Sequence, residues 1–165
     1  MSSSLTFSTA NLSDANLDAQ VVNLQWRHAG QRACFYGQCF TLQAQDHRPI
    51  DEVVSTPGEG RVLVVDCGGS LRFGVFGDRL AAIAVRNGWS GLVVHGAVRD
   101  TVKLAELDIG VKALGVTALR NSEARPSVKG APLSFGDARF EAGDWVYCDP
   151  DAVLVSKVQL DLKKG

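Results

Sequence analysis

The chain predicts a single α/β domain in which a parallel-rich half is followed by an antiparallel half, and three observations carry that reading. Arg61-Val62-Leu63-Val64-Val65-Asp66 and Gly91-Leu92-Val93-Val94-His95 are short, unbroken apolar runs, the pattern of strands buried on both faces. Between them Leu80, Ala81, Ile83 and Ala84 fall at helical spacing within Asp78–Asn87, which makes a strand–helix–strand unit with a right-handed crossover. Beyond the polar loop at 120–129 the texture changes to short alternating strands. At 165 residues the chain can bury one sizeable core and is short for two.

The elements follow in order. Residues 8–18 are polar and read as a short helix and a turn. Alternation from Val21 to Asp46 suggests one or two strands. A helical turn is expected at Ile50–Ser55, and Pro57-Gly58 marks a turn before the first parallel strand. Gly88 stops the helix at 78–87. Asp100–Leu107 is expected to form the next helix, ended at Gly110, and Val111–Leu119 a third parallel strand. Leu133–Phe135 and Ala138–Phe140 read as a hairpin around Gly136-Asp137, and Trp145–Cys148 and Ala152–Val155 as two further strands.

Composition narrows the function classes. Apolar residues make up 45% and charged residues 21%, with a net charge of −1, so the chain lacks the basic footprint of a nucleic-acid binder. Cys34, Cys39, Cys67 and Cys148 form no Cys-x-x-Cys, and His28, His47 and His95 have no partner at zinc-finger spacing. Free thiols in a reducing compartment are the expected state. No apolar run approaches the roughly 18 residues of a membrane span. Met1-Ser2-Ser3-Ser4-Leu5 carries neither the basic nor the apolar part of a secretion signal, so a cytoplasmic location is expected.

Two loops, each following a strand and opening a helix, hold the candidate chemistry. Gly77-Asp78-Arg79-Leu80 begins the 78–87 helix, whose first N–H groups have no internal acceptor and so welcome an anion. The alternative is a tight turn with Asp78 as N-cap. His95-Gly96-Ala97-Val98-Arg99-Asp100 ends the second strand. There Arg99 can grip a carboxylate and Asp100 can offer hard oxygens to Mg²⁺ through waters. Asp100 can equally be a simple helix cap, although a capping box would place Glu or Gln where Lys103 stands. Both readings remain open. His95 and Asp66, also at strand ends, read as structural.

Gly58–Arg72, Gly77–Ala81, Asn87-Gly88-Trp89, Gly96–Asp100 and Leu104–Gly115 together resemble the RraA-like family. Its members include the regulator of ribonuclease activity A and the 4-hydroxy-4-methyl-2-oxoglutarate aldolases. Thr9–Ala15 and Gly143–Tyr147 extend the match to nearly the whole chain, residues 1–165 being one such domain. The resemblance implies an α-β-β-α sandwich of mixed sheets, similar to the swivelling phosphohistidine domain and assembled as homotrimers or hexamers. It implies that Gly77, Asp78, Arg79 and Leu80 bind a pyruvyl group, that Arg99 holds substrate, and that Asp100 holds a divalent metal, most simply Mg²⁺. Arg99 and Asp100 are then the catalytic pair of a lyase. That lyase cleaves 4-hydroxy-4-methyl-2-oxoglutarate to pyruvate and decarboxylates oxaloacetate, with a bound water as the base.

The alternative that the family offers is a non-catalytic regulator of the endonuclease RNase E. Lys103 stands where family enzymes carry an acid, Cys67 where they carry glycine, and the chain lacks the acidic C-terminal extension of the longer aldolases. Asp100 favours the enzyme; Lys103 and the short length favour the regulator. A methyltransferase reading finds no support, because the glycines form no nucleotide-binding fingerprint.

Overall fold

The structure, a computed structural model, describes residues 4–165. The expectation for Met1-Ser2-Ser3 therefore lies outside the described residues. Helix α1 (Thr9–Ala15) opens the fold, its N-cap Ser8 accepting from the Asn11 N–H. Thr9 donates from both its backbone N–H and its hydroxyl to the buried Asp149 at 2.7 Å, tying the helix to the far end of the chain.

Strand β1 (Gln20–Val21), β2 (Arg27–Ala29) and β3 (Phe35–Gln43) come next, then α2 (His47–Val54) and β4 (Val62–Asp66). Helix α3 (Asp78–Arg86), β5 (Gly91–Val98), α4 (Thr101–Leu104) and β6 (Gly110–Val116) complete the parallel part. The antiparallel part holds β7 (Val128–Lys129), β8 (Leu133–Phe135), β9 (Ala138–Phe140), β10 (Trp145–Cys148) and β11 (Val153–Ser156).

The two halves are one curled sheet, ordered β1-β11-β10-β3-β4-β5-β6-β2, with β7 on β3. Strand β3 makes this possible because it is long and serves two partners in turn. Phe35–Gln38 pairs antiparallel with β10, and Cys39–Gln43 pairs parallel with β4. Strand β2 closes the other edge, antiparallel to β6. Three apolar layers result. Helices α2 and α3 pack on the outer face of the parallel arm through Ile50, Val54, Leu80, Ala81 and Ala84. The β8–β9 hairpin fills the space inside the curl with Phe135 and Phe140. Helix α1 covers the antiparallel arm through Leu12, Tyr147 and Leu154. That is the mixed, single-domain α/β fold the sequence implied, with helices on both outer sides. Each fully buried Leu, Ile or Phe contributes roughly 1.5–3 kcal/mol.

Several elements match their sequence reading. Helix α3 stops at Asn87 before Gly88, which takes φ +79°. The hairpin turns on Gly136 and Asp137, both left-handed (φ 57° and 59°), as a two-residue turn of matching twist requires. The second helix differs. It runs only from Thr101 to Leu104 instead of to Leu107, because the carbonyls of Leu107 and Ile109 accept from Gln31 and Arg32 N–H, and Asp108 pairs with Arg32. Tertiary bonds pull that segment off the helical path. Helix α2 starts earlier than expected, at His47, because Asp46 caps it by accepting from the Arg48 N–H.

Candidate active site

The C-terminal ends of β4 and β5 carry polar groups on both faces of the sheet, where ligands bind in open α/β folds. On the helical face, segment 74–77 is laced along the end of β5. Val75 N–H donates to the Ala97 carbonyl, Arg99 N–H to the Phe76 carbonyl, and Gly74 N–H to the Leu119 carbonyl. This lacing brings the two loops singled out by sequence into one place. Residues 74–80, Arg99 and Asp100 line a cleft of about 190 Å³ together with His47 and Arg120.

Gly77, not Asp78, is the N-cap of α3, and it supplies no side-chain cap. The N-cap alternative for Asp78 is thereby corrected: Asp78 is the first helical residue, its carboxylate accepting from the Arg79 N–H. The backbone N–H groups of Gly77, Asp78 and Leu80 meet no acceptor among the described residues. Four N–H groups are left open at any helix start, and their partial positive charge faces the cleft here.

Asp100 is the N-cap residue of α4, its carbonyl accepting from the Leu104 N–H, but its side chain makes no capping bond, and it adopts a left-handed backbone (φ 60°, ψ 40°). Left-handed non-glycine residues are costly and cluster at functional sites. Its carboxylate instead lies against the bare α-carbon of Gly77, where a Cβ would stand 2.5 Å from Oδ2. Gly77 is extended (φ −145°), so glycine is needed there for space rather than for conformation. The Arg99 Nε lies 3.5 Å from the same Oδ2, and both side chains are about one-third exposed, at 34% and 32%. Gly74 also makes room for Arg99, whose Cβ would be 2.9 Å from a Cβ at that position.

Lys103 points to the same rim but pairs with Asp78 at 3.2 Å, leaving Asp100 to Arg99. The Lys103 ammonium, aided by the Arg79 N–H, holds the Asp78 carboxyl below the usual carboxylate range. Arg79 itself reaches across to Asp51 of α2 at 3.0 Å.

His47 and Arg120 were not singled out by the sequence. His47 is the first residue of α2, and its Nδ1 is buried with no hydrogen-bond partner among the described residues. Burial, then the Arg48 and Arg120 charges, lower its pKa, with Arg79 adding to them and Asp46 opposing. The available signal was Asp46 ahead of an apolar helical pattern, which places the next residue at a helix start.

The opposite face of the same strand ends is closed. His95 Nδ1 and Asp66 Oδ1 are 2.8 Å apart, Asp66 also accepts from the Gly68 N–H, and the imidazole stacks on Phe135 at 4.4 Å. Cys67 is buried against Gly96, and burial pushes its thiol up to about 12, so it is inert at neutral pH. A larger groove of about 640 Å³ lies beside Arg32 and Asp108, which are already bonded to each other at 2.7 Å.

Among the described residues no three His, Cys, Asp or Glu side chains converge as a cation cage. The cleft's donors do fit a hard divalent cation of the Mg²⁺ type, which takes one or two carboxylates and fills its other positions with water and substrate oxygens. Asp100 would be the carboxylate to hold such an ion, with Asp78 near it and tied to Lys103.

Comparison with known proteins gives the family and the fold. A family model described as RraA-like, Aldolase/RraA, matches residues 9–155. A protein of Alkalilimnicola ehrlichii, provisionally named 4-hydroxy-4-methyl-2-oxoglutarate aldolase, is 42% identical over 154 residues, covering 92% of this chain and 96% of its own. The structure of the RNA-processing inhibitor RraA from Thermus thermophilis superposes with a TM-score of 0.88 at 34% identity, covering 93% and 94% of the two chains. A Geobacillus kaustophilus structure described as an S-adenosylmethionine:2-dimethylmenaquinone methyltransferase gives 0.89 at 35% identity, covering 92% and 96%.

Proposed function

The chain belongs to the RraA-like family, and from that premise we propose that it is a carbon–carbon lyase. It uses a divalent cation, Mg²⁺ by preference, and cleaves 4-hydroxy-4-methyl-2-oxoglutarate to two pyruvates. Oxaloacetate decarboxylation follows at the same site, because both reactions pass through the pyruvate enolate. The observation that carries the reading is the packing of the Asp100 carboxylate on Gly77, which unites an open helix start, an arginine and a hard-oxygen donor in one cleft.

In this reading the N–H groups at Gly77, Asp78 and Leu80 receive the substrate carboxylate, with Arg79 closing the rim. Arg99 faces the oxygen on which enolate charge develops, a fixed cation that needs no reorganisation as the charge appears. Asp100 holds the cation. When bound, that ion supplies Lewis-acid stabilisation of the 2-oxo acid. The named aldolase relative supports the reaction class.

A homotrimeric or hexameric assembly is part of the same proposal, and exposed apolar side chains such as Leu71 and Leu119 offer surface for contact between copies. The four free cysteines fit a reducing, cytoplasmic compartment. A second reading, a regulator of the endonuclease RNase E, is favoured by the likeness to the Thermus inhibitor and by the Lys103–Asp78 pair on the rim. Purified protein with Mg²⁺ is expected to release pyruvate from either substrate well above the metal-only background. No release, combined with nuclease inhibition that Asp100→Ala leaves intact, would select the regulator.

A further inference from the structure

Most cations at the cleft and its rim already have a carboxylate. Arg79 is bonded to Asp51 at 3.0 Å, Lys103 to Asp78 at 3.2 Å, and Arg99 lies 3.5 Å from Asp100. Arg120 lines the same cleft with an exposed side chain, and that side chain has neither an ion pair nor a hydrogen bond among the described residues. Its backbone is nevertheless fixed. On one side the Leu119 carbonyl accepts from the Gly74 N–H at 2.7 Å. On the other, Asn121 is 5% exposed; its side-chain amide donates to the Gln45 carbonyl and accepts from the Glu123 N–H.

These anchors set the order of groups along the cleft. The open helix start lies at Gly77, and Arg120 is mounted beside Gly74, a stretch of chain that spans at most roughly 10 Å. Arg99 runs between them, since a Cβ at Gly74 would stand 2.9 Å from Arg99 Cβ and one at Gly77 would stand 3.2 Å from Arg99 Cγ. Helix start, Arg99 and Arg120 therefore follow one another.

We infer that Arg120 receives the second carboxylate of the substrate and so makes the cleft selective for 2-oxo dicarboxylic acids. The inference takes its pose from the lyase reading and deepens it. With the C1 carboxylate on the N–H groups of α3 and the C2 oxygen at Arg99, the carbon chain runs on toward Arg120. The C5 carboxylate of 4-hydroxy-4-methyl-2-oxoglutarate is then the one charged group left to place. An unpaired guanidinium suits it, because its planar donors match a carboxylate two to two. No existing ion pair has to break first, as it would at Arg79 or Lys103. The C5 carboxylate keeps its charge while the C3–C4 bond breaks, so Arg120 holds ground state and transition state alike. Binding of that kind shows in KM and leaves kcat alone.

The test compares two acids that differ only at the far end. 2-Oxoglutarate and 2-oxopentanoate share the 2-oxo acid head, and a methyl group in the second stands where the first has its C5 carboxylate. Neither carries a 4-hydroxyl to be cleaved, so calorimetry with Mg²⁺ present reads binding alone. Wild type is expected to bind 2-oxoglutarate about 10- to 100-fold more tightly than 2-oxopentanoate. Arg120→Gln should erase that preference by weakening 2-oxoglutarate, leaving 2-oxopentanoate within about 3-fold and the melting curve unchanged. Arg120→Lys, which keeps the charge without the planar fork, should retain part of it. Equal weakening of both acids, an unchanged preference in Arg120→Gln, or no preference in wild type overturns the inference. Where the preference appears and vanishes in this way but wild type cleaves no 4-hydroxy-2-oxo acid, the lyase reading falls and the dicarboxylate site stands.

Discussion

Two faces of the same strand ends carry similar residue types in opposite states. Inside the curl, His95 and Asp66 are bonded at 2.8 Å, backed by Gly68 N–H and stacked on Phe135. On the helical face, the Asp100 side chain makes no capping bond, His47 Nδ1 has no partner among the described residues, and the first N–H groups of α3 border a cleft. A histidine with a carboxylate is a familiar sign of catalysis, yet here that pair is the satisfied, load-sharing one. The incomplete face is where a ligand has something to do. Satisfaction of polar groups, rather than residue type, separates scaffold from site.

Substitutions can break this contrast from either side. Among substitutions that leave Asp100 in place, removing Arg99 (Arg99→Ala) should cost the most activity, lowering kcat about 100- to 1000-fold with little change in melting temperature, since it stabilises charge that appears only during reaction. Gly77→Ala comes next. Its new Cβ would stand 2.5 Å from Asp100 Oδ2 and 3.2 Å from Arg99 Cγ. Moving the carboxylate is easy for the fold but misplaces its oxygens, so activity should fall about 10- to 100-fold, as ångström-scale misplacement does. A melting curve beside a rate measurement separates the two effects.

On the opposite face, His95→Ala should reverse the pattern. It removes a bonded, stacked ring, so denaturant unfolding should show a loss of about 1–3 kcal/mol. Turnover of the remaining folded protein should stay within a few-fold, or about 3-fold. A large loss of kcat without loss of stability would collapse the distinction between the faces.

Acid should act through Asp46, which supports the cleft from behind. Burial alone would raise its pKa, but the N–H groups of Arg125 and Arg48 overcome this and hold it below the ordinary 3.8. A carboxyl depressed in the folded state contributes stability above its unfolded value and loses it as pH falls through the folded one. The Asp46 contribution should therefore be intact at pH 5 and decline below about pH 4, and a flat Asp46→Asn difference across that window would contradict it. The smallest effect belongs to Lys103. Its pair with Asp78 is exposed at 69% and 35%, so Lys103→Gln should leave the melting temperature essentially unchanged. It should also tighten Mg²⁺ binding about 2- to 5-fold by removing one nearby positive charge.

The parallel strands, α3 and the hairpin were legible because unbroken apolar runs, helical spacing and Gly136-Asp137 each encode a local geometry. The Gly77 and Arg99-Asp100 loops were legible as a pair because they follow adjacent parallel strands. What was not legible depended on contacts between distant parts of the chain. Nothing local says that β3 serves β10 and β4 in turn, or that Gln31 and Arg32 draw residues 107–109 away from a helix. His47 escaped for the same reason: it reaches the cleft only once α2 packs beside α3, far from either loop in sequence. Lys103, which stands where the family resemblance implies an acid, turns to Asp78 in the fold.

The most direct test of the account is pyruvate release from 4-hydroxy-4-methyl-2-oxoglutarate by wild type and Asp100→Ala over a range of Mg²⁺ concentrations. Wild type should turn over in a saturable, Mg²⁺-dependent way, and Asp100→Ala should fall to the metal-only background while melting like wild type. Unchanged, Mg²⁺-dependent turnover in Asp100→Ala would contradict the account.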